Sequence, residues 1–242
     1  MNVEELAVVG DRLPFDPMPR RRAIYDLGHA RPLHLGDLFG AVSALRTLAA
    51  DPAVDLTVRL TGEPEACAHT AAELVACGLG SVVFERATGS SAESIDLDAV
   101  RLGDLHGDAL GSPAGTTIND LRQPRRPMGS VMLDGEPDLR GVVRVIDAPL
   151  RVAAAIRHAQ VDLDPTLGYD PQLRPGVSNL AVILGLLTDK PPIAALFGLH
   201  GANQLKRVLT EALQQRLRPV RGLYTELVGD PVTLSRLVRP AT

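Results

Sequence analysis

Leu33-His34-Leu35-Gly36-Asp37 is the stretch of this 242-residue chain whose residue types and spacing point most directly to chemistry. It lies where an apolar strand pattern gives way to a helical one. A histidine and a glycine one residue apart at such a turn bring an imidazole and a bare backbone to one place. Helix N–H groups beside them would face an anion such as a nucleotide phosphate. His34 and Gly36 are the candidates that this reading supplies. The other histidines (His29, His69, His106, His158 and His200) fall into no HExxH or comparable metal spacing. No nucleophile elbow, Walker loop or dinucleotide fingerprint occurs. No catalytic residue and no metal ligand is therefore assigned. Cys67 and Cys77 match no zinc template and are expected as small core residues.

The elements that must position the turn can be read from periodicity. Residues 1–22 are rich in Pro and Arg and form a lead-in. A strand then runs to the Gly-rich turn, and Leu38, Val42, Leu45 and Leu48 recur at helical spacing over 36–50. Val54, Leu56, Val58 and Leu60 alternate with polar residues, which predicts a strand. Residues 64–77 predict a helix closed by Gly78, and 81–86 a further strand. Three strands alternating with helices imply a parallel, doubly wound sheet. The pattern fades over 87–126 into a long Gly, Ser, Asp and Pro loop. GVVRVI (141–146) reads as a last strand and 149–160 as a helix. Beyond that everything reads as helical: 178–187, a short helix after Pro192, and 202–228 with a bend at Pro219. A final helix starts after the N-cap pair Asp230-Pro231. No internal repeat is visible.

Composition sets outer bounds. With 45% hydrophobic and 22% charged residues and a net charge of −4, a folded globular chain is expected and a disordered one excluded. No apolar run reaches about 18 residues, which excludes a membrane-spanning helix. No signal-peptide pattern opens the sequence, so a cytoplasmic location is expected. Lys190 and Lys206 are the only lysines, so any site in the first three-quarters that needs a cation must use guanidinium. Residues 1–149 carry net −8 and residues 150–242 net +4. A polyanion is therefore expected to meet the C-terminal part more readily.

Several ordered stretches resemble the class I tryptophanyl-tRNA synthetases. LHLGDLFGAV resembles that family's HIGH motif with the helix behind it, and CGLGSVVFER its next strand. Val131 to Asp162 follows its KMSKS-to-linker segment without a gap. Tyr169-Asp170-Pro171 and Arg174-Pro175-Gly176-Val177-Ser178-Asn179-Leu180 match its Y-D-P and P-G-V-S-N-L blocks almost letter for letter. Leu217-Arg218-Pro219-Val220 resembles its L-R-P-I helix. Together these cover roughly two-thirds of the chain, and the PGVSNL block is the most specific. The resemblance implies an α/β fold, with a reduced class I Rossmann-like parallel sheet followed by an all-helical anticodon-binding-like domain. The boundaries expected are 1–22 for the lead-in, 23–146 for the nucleotide-binding domain and 147–242 for the helical domain. It also implies bacterial origin, ATP with Mg as the nucleotide, and otherwise no cofactor.

By that resemblance His34, Gly36, Asp37, Gly28 and Met132 are the candidate ATP-binding residues. Arg125 and Arg126 are candidate phosphate contacts from the loop before the signature. Lys206, Arg207, Arg218 and Arg221 are candidate contacts to tRNA or aminoacyl-tRNA. A homodimer or a heteromeric enzyme partner is implied, and neither DNA nor membrane. The departures matter as much. The KMSKS positions fall on Val131, Met132, Leu133, Asp134 and Gly135, so both lysines are missing. Removing one well-placed transition-state donor costs about 2.7–4 kcal/mol. Asp26 replaces a glycine, Gly28 a glutamine, and Asp37 a His or Asn. Between Arg86 and Val131 the family uses more than twice as many residues, including those that recognise tryptophan. The expectation is a synthetase paralogue with impaired or lost adenylation that binds tRNA or aminoacyl-tRNA. The alternatives are an adenylate-forming or aminoacyl-transfer enzyme for another acid, or an interaction partner of a full-length synthetase or biosynthetic enzyme.

Overall fold

The computed structural model describes residues 21–87 and 142–240. Strand β1 (Arg21–His29) leads through the His34 turn into α1 (Leu35–Phe39) and α2 (Ala41–Ala49). The sequence pattern predicts one helix here. Gly40, at φ −94 and ψ −97, leaves helical geometry and divides it in two. Strand β2 (Val54–Thr61), helix α3 (Pro64–Ala76) and strand β3 (Val83–Ala87) follow. Pro64 supplies the preset φ of a first helical residue, and Gly78 takes the left-handed φ of +102 just beyond the C-cap.

β1 pairs with β2 and β2 with β3, all parallel, as the strand–helix alternation predicts. Leu56, Val58 and Leu60 are buried on one face of β2, beside Ala23 of β1 and Phe84 of β3. Next in the described residues come α4 (Pro149–Arg157), α5 (Pro175–Thr188), α6 (Pro192–Ala195), α7 (Gly201–Gly229) and α8 (Pro231–Arg236). Helix α7 passes through Pro219 as one element. Its Leu205, Leu209, Leu213 and Leu217, four residues apart, form a buried stripe packed towards α3, α4 and α5. One hydrophobic core links the sheet, α2 and α3 to this stripe.

Two expectations need correction. The remainder after the last linker is not all helical. Val238–Pro240 forms β4, which pairs parallel to β3 and completes a sheet of order β1-β2-β3-β4. The stretch expected as a strand at 141–146 lies partly within the described residues and makes only an isolated antiparallel bridge, His34 to Arg144. Val143 and Val145 are buried as their alternation implies, but they pack on the His34 turn. The Asp147 carboxylate then accepts the Arg144 N–H at 2.9 Å and turns the chain away into α4. Residues 1–20 of the expected 1–22 lead-in, the loop expected over 87–126 beyond Ala87, and the KMSKS-equivalent positions lie outside the described residues.

Candidate functional site

His34 is the N-cap of α1, held between the fully buried Leu33 and Leu35. Its Nδ1 accepts the Asp37 N–H at 3.3 Å, and the Asp37 carboxylate accepts the His34 N–H at 2.9 Å, a reciprocal capping box. With Nδ1 accepting, the ring proton belongs on Nε2, which lies 3.4 Å from an Asp37 oxygen. Burial lowers the His34 pKa, against the pull of Asp37, so the imidazole is neutral at pH 7. Arg31 closes the arrangement with a bidentate fork on Asp37, at 2.7 and 2.8 Å. That hydrogen-bonded pairing raises the Arg31 pKa.

The turn is also tied to its surroundings. Leu35 N–H donates to the Val143 carbonyl at 3.1 Å, and Val145 N–H to the Leu33 carbonyl at 2.9 Å. From α3, the Thr70 hydroxyl donates to the Arg31 carbonyl at 3.1 Å, while a Glu73 oxygen accepts the Leu33 N–H at 2.7 Å. The expected anion seat is thus occupied by the protein's own carboxylate, capped and paired. Gly36 is buried, and its carbonyl accepts the Gly40 N–H at 2.9 Å. Gly28 takes φ +77 at a register shift, its N–H donating to Asp26 at 2.8 Å. No atom lies within 4 Å of a Cβ built at Gly28, so its backbone angle rather than close approach calls for glycine. Met132, Arg125 and Arg126 lie outside the described residues.

Arg31 and Glu73 were not among the residues singled out from sequence. A signal for Glu73 existed: it sits three residues after Thr70 and six after Cys67, on the face of α3 that is buried. Glu73 is 2% exposed, and burial pushes its carboxyl from 4.5 up to about 7, against the Leu33 hydrogen bond. An unfolded glutamate titrates far lower. The contribution of neutral Glu73 to stability is therefore full below the unfolded value and lost as pH rises through about 7. The thermal stability of the wild type is expected to fall between about pH 5 and 7.5, by on the order of 2 kcal/mol from this group. Glu73→Gln should flatten that segment of the profile.

The cationic candidates of α7 divide into two kinds. Lys206 donates to the Arg157 and Ala159 carbonyls at 3.1 and 2.7 Å, capping the end of α4, and desolvation lowers its pKa. Arg221 donates to the Leu217 carbonyl at 3.3 Å and has a buried Nη2 without a partner among the described residues. Arg207 and Arg218 are exposed, Arg207 with a 4.0 Å pairing to Glu211. Arg157, Asn203, Lys206, Arg207 and Thr210 line a shallow recess.

The RPGVSNL block is a structural joint. Arg174 grips Asp162 in a bidentate pair at 3.0 and 2.6 Å and donates to the Thr166 carbonyl at 2.8 Å. That hydrogen bond holds the Asp162 carboxyl below its usual range. The Ser178 hydroxyl accepts the Asp170 N–H at 2.9 Å, joining the Y-D-P turn to α5. Gly176 lets α5 approach so closely that a Cβ there would lie 2.2 Å from the Gln160 carbonyl oxygen.

A parallel sheet with a His-x-Gly turn after its first strand, and a helical C-terminal half on the same core, defines a Rossmann-like α/β fold. No protein-family model matches the sequence. The chain is 31% identical over 176 residues to tryptophan–tRNA ligase 1 of Streptomyces coelicolor, covering 70% of this chain and 51% of the relative. It is 30% identical over 148 residues to the tryptophan–tRNA ligase of Corynebacterium glutamicum, covering 58% and 42%. The crystal structure of tryptophanyl-tRNA synthetase from Mycoplasma pneumoniae matches with a TM-score of 0.58 at 15% identity, over 89% of this chain and 90% of that one. The Campylobacter jejuni enzyme complexed with ADP and tryptophan matches at 0.58 and 13% identity, over 89% and 92%. At such identities the likeness is one of fold. The chain is a class I tryptophanyl-tRNA-synthetase-like protein, and it spans about half the length of the curated relatives it matches. No described helix is long and apolar enough to cross a membrane.

Proposed function

We propose that this chain is a synthetase paralogue that holds tRNA or aminoacyl-tRNA on its helical part and has little or no amino-acid adenylation. The observation that carries the proposal is the Asp37 carboxylate. It stands where a triphosphate would meet the His34 turn, capped on His34 and forked by Arg31. A phosphate brought there meets a like charge, and the nearest guanidinium is already committed. Among the described residues no group of three or more His, Cys, Asp or Glu side chains is gathered to hold a metal ion. The residues at the turn do not fit ATP with Mg. The absence of both signature lysines from Val131–Gly135 supports the same reading. Residues 23–146 would then be the remnant of the nucleotide-binding domain, and 147–242 the part that meets RNA, in a cytoplasmic bacterial protein.

Pyrophosphate exchange with the twenty amino acids tests the catalytic half of the proposal. The expected result is exchange at background, and robust exchange would overturn it. Filter binding of tRNA against salt tests the other half. Binding is expected to fall with salt, with Arg207→Gln or Arg218→Gln each lowering the log–log slope by about 1. Lys206→Ala is expected to lower stability and leave the slope unchanged, because its ammonium serves carbonyls of α4. No tRNA retention at low salt would remove this half of the reading.

A further inference from the structure

We propose that Glu73 is a positioning residue for the His34 turn, a tether from α3 whose hold on the Leu33 amide depends on its own protonation. The proposal rests on reading that turn as an anion seat closed by its own Asp37 carboxylate, but its test requires no ligand. Glu73 lies in the middle of α3, buried, and one of its oxygens accepts the Leu33 N–H at 2.7 Å across forty residues of sequence. Leu33 immediately precedes His34, so this bond acts directly on the backbone that orients the imidazole. Among the described residues no cation stands within ion-pair distance of Glu73.

The groups that face it come from every neighbouring element. Asp37 of α1 repels it, while Arg31 before the turn and Arg144 of the 142–148 segment attract it from a distance. Tyr224 of α7 and Cys77 at the end of α3 feel its charge in return. One helical turn back on α3, His69 is 3.0 Å from the Tyr224 hydroxyl. A buried carboxylate with one backbone donor and no ion-pair partner is poorly stabilised in its charged form. Its carboxyl is pushed up to about 7.

Two states follow. Ionised, Glu73 accepts a strong charge-assisted bond from Leu33 and adds a second negative charge behind Asp37. Protonated, it accepts more weakly and relieves Asp37 of its neighbour's repulsion. The surroundings of the turn then become more positive by one unit. An anion approaching the turn would therefore favour proton uptake at Glu73, and protonation would favour the anion.

NMR titration of the full chain carrying 13C-carboxyl glutamate and 15N amides, from pH 5 to 9, tests this. One carboxyl resonance is expected to titrate more than one pH unit above the other glutamates and to vanish in Glu73→Gln. The Leu33 amide is expected to shift with the same midpoint in the wild type and to stay flat in the variant. A Leu33 amide that does not move as the Glu73 carboxyl titrates would overturn the proposal, as would a Glu73 that titrates with the ordinary glutamates. If Glu73→Gln does not fold, coincidence or disagreement of the two midpoints in the wild type decides. Tight binding of ATP at the turn would undermine the proposed function and leave this titration unchanged.

Discussion

Replacing Gly176 with alanine is expected to lower the unfolding free energy by about 3 kcal/mol, near the upper end for overpacking a close-packed site. The added methyl would lie 2.2 Å from the Gln160 carbonyl oxygen and 3.1 Å from its carbonyl carbon, with the Val161 Cα at 3.3 Å. All three are backbone atoms, so no flexible side chain can move aside. Either α5 must lift from the 160–161 segment or that segment must bend. Both movements disturb the Arg174–Asp162 fork and the Ser178–Asp170 bond, which bracket the contact. Gly222→Ala in α7 is the matched control. Nothing lies within 4 Å of its added Cβ, and the gain in helix propensity should raise stability by about 0.5–1 kcal/mol. Urea unfolding of the two variants beside the wild type checks both signs. A Gly176→Ala protein as stable as the wild type would mean that α5 does not sit as described.

Asp37→Ala is the second large effect, and it has two readouts. Stability should fall by about 2–3 kcal/mol, because the substitution removes the acceptor for the His34 N–H and both bonds of the Arg31 fork. Asp37→Asn, which keeps an oxygen for the cap, should lose about 1 kcal/mol. Affinity for ATP should move the other way. Two unit charges 4 Å apart interact by about 4 kcal/mol at an effective dielectric of 20, a ceiling of about a thousandfold that the Arg31 pairing and solvent reduce, so removing the carboxylate should raise ATP affinity by at least about tenfold. Arg31 would then be free to meet phosphate. Equilibrium titration with ATP, performed on the Asn variant because it better retains the fold, measures this. Unchanged affinity would place the anion seat somewhere other than the His34 turn.

The legible parts of this chain are those governed by neighbours in sequence. Pro64 and Gly78 bracket α3, Asp230-Pro231 opens α8 with Asp230 accepting the Val232 N–H, and β2 shows its alternation openly. β4 was not legible, because three residues that include Pro240 carry no period and gain strand character only by lying beside β3. Val143 and Val145 show the opposite limit: alternation reports that side chains are buried and says nothing about which backbone partners them. At the site, His34 and Gly36 were legible from their place at a strand–helix turn. That Asp37 would be forked by Arg31, or that Glu73 would reach Leu33, was not.

The strand–helix alternation, the imidazole beside a helix start and the lack of lysine around it in the sequence all follow from local residue order. Periodicity, capping and side-chain inventory act within a few residues and need no knowledge of the folded path. It took the folded path to show that the His34 turn is filled by its own ion pair, tied to α3 by a buried acid, and that Val238–Pro240 returns to the sheet. Those outcomes depend on which distant residues share a low-dielectric interior, where a carboxylate's neighbours, rather than its own type, set its charge and its role.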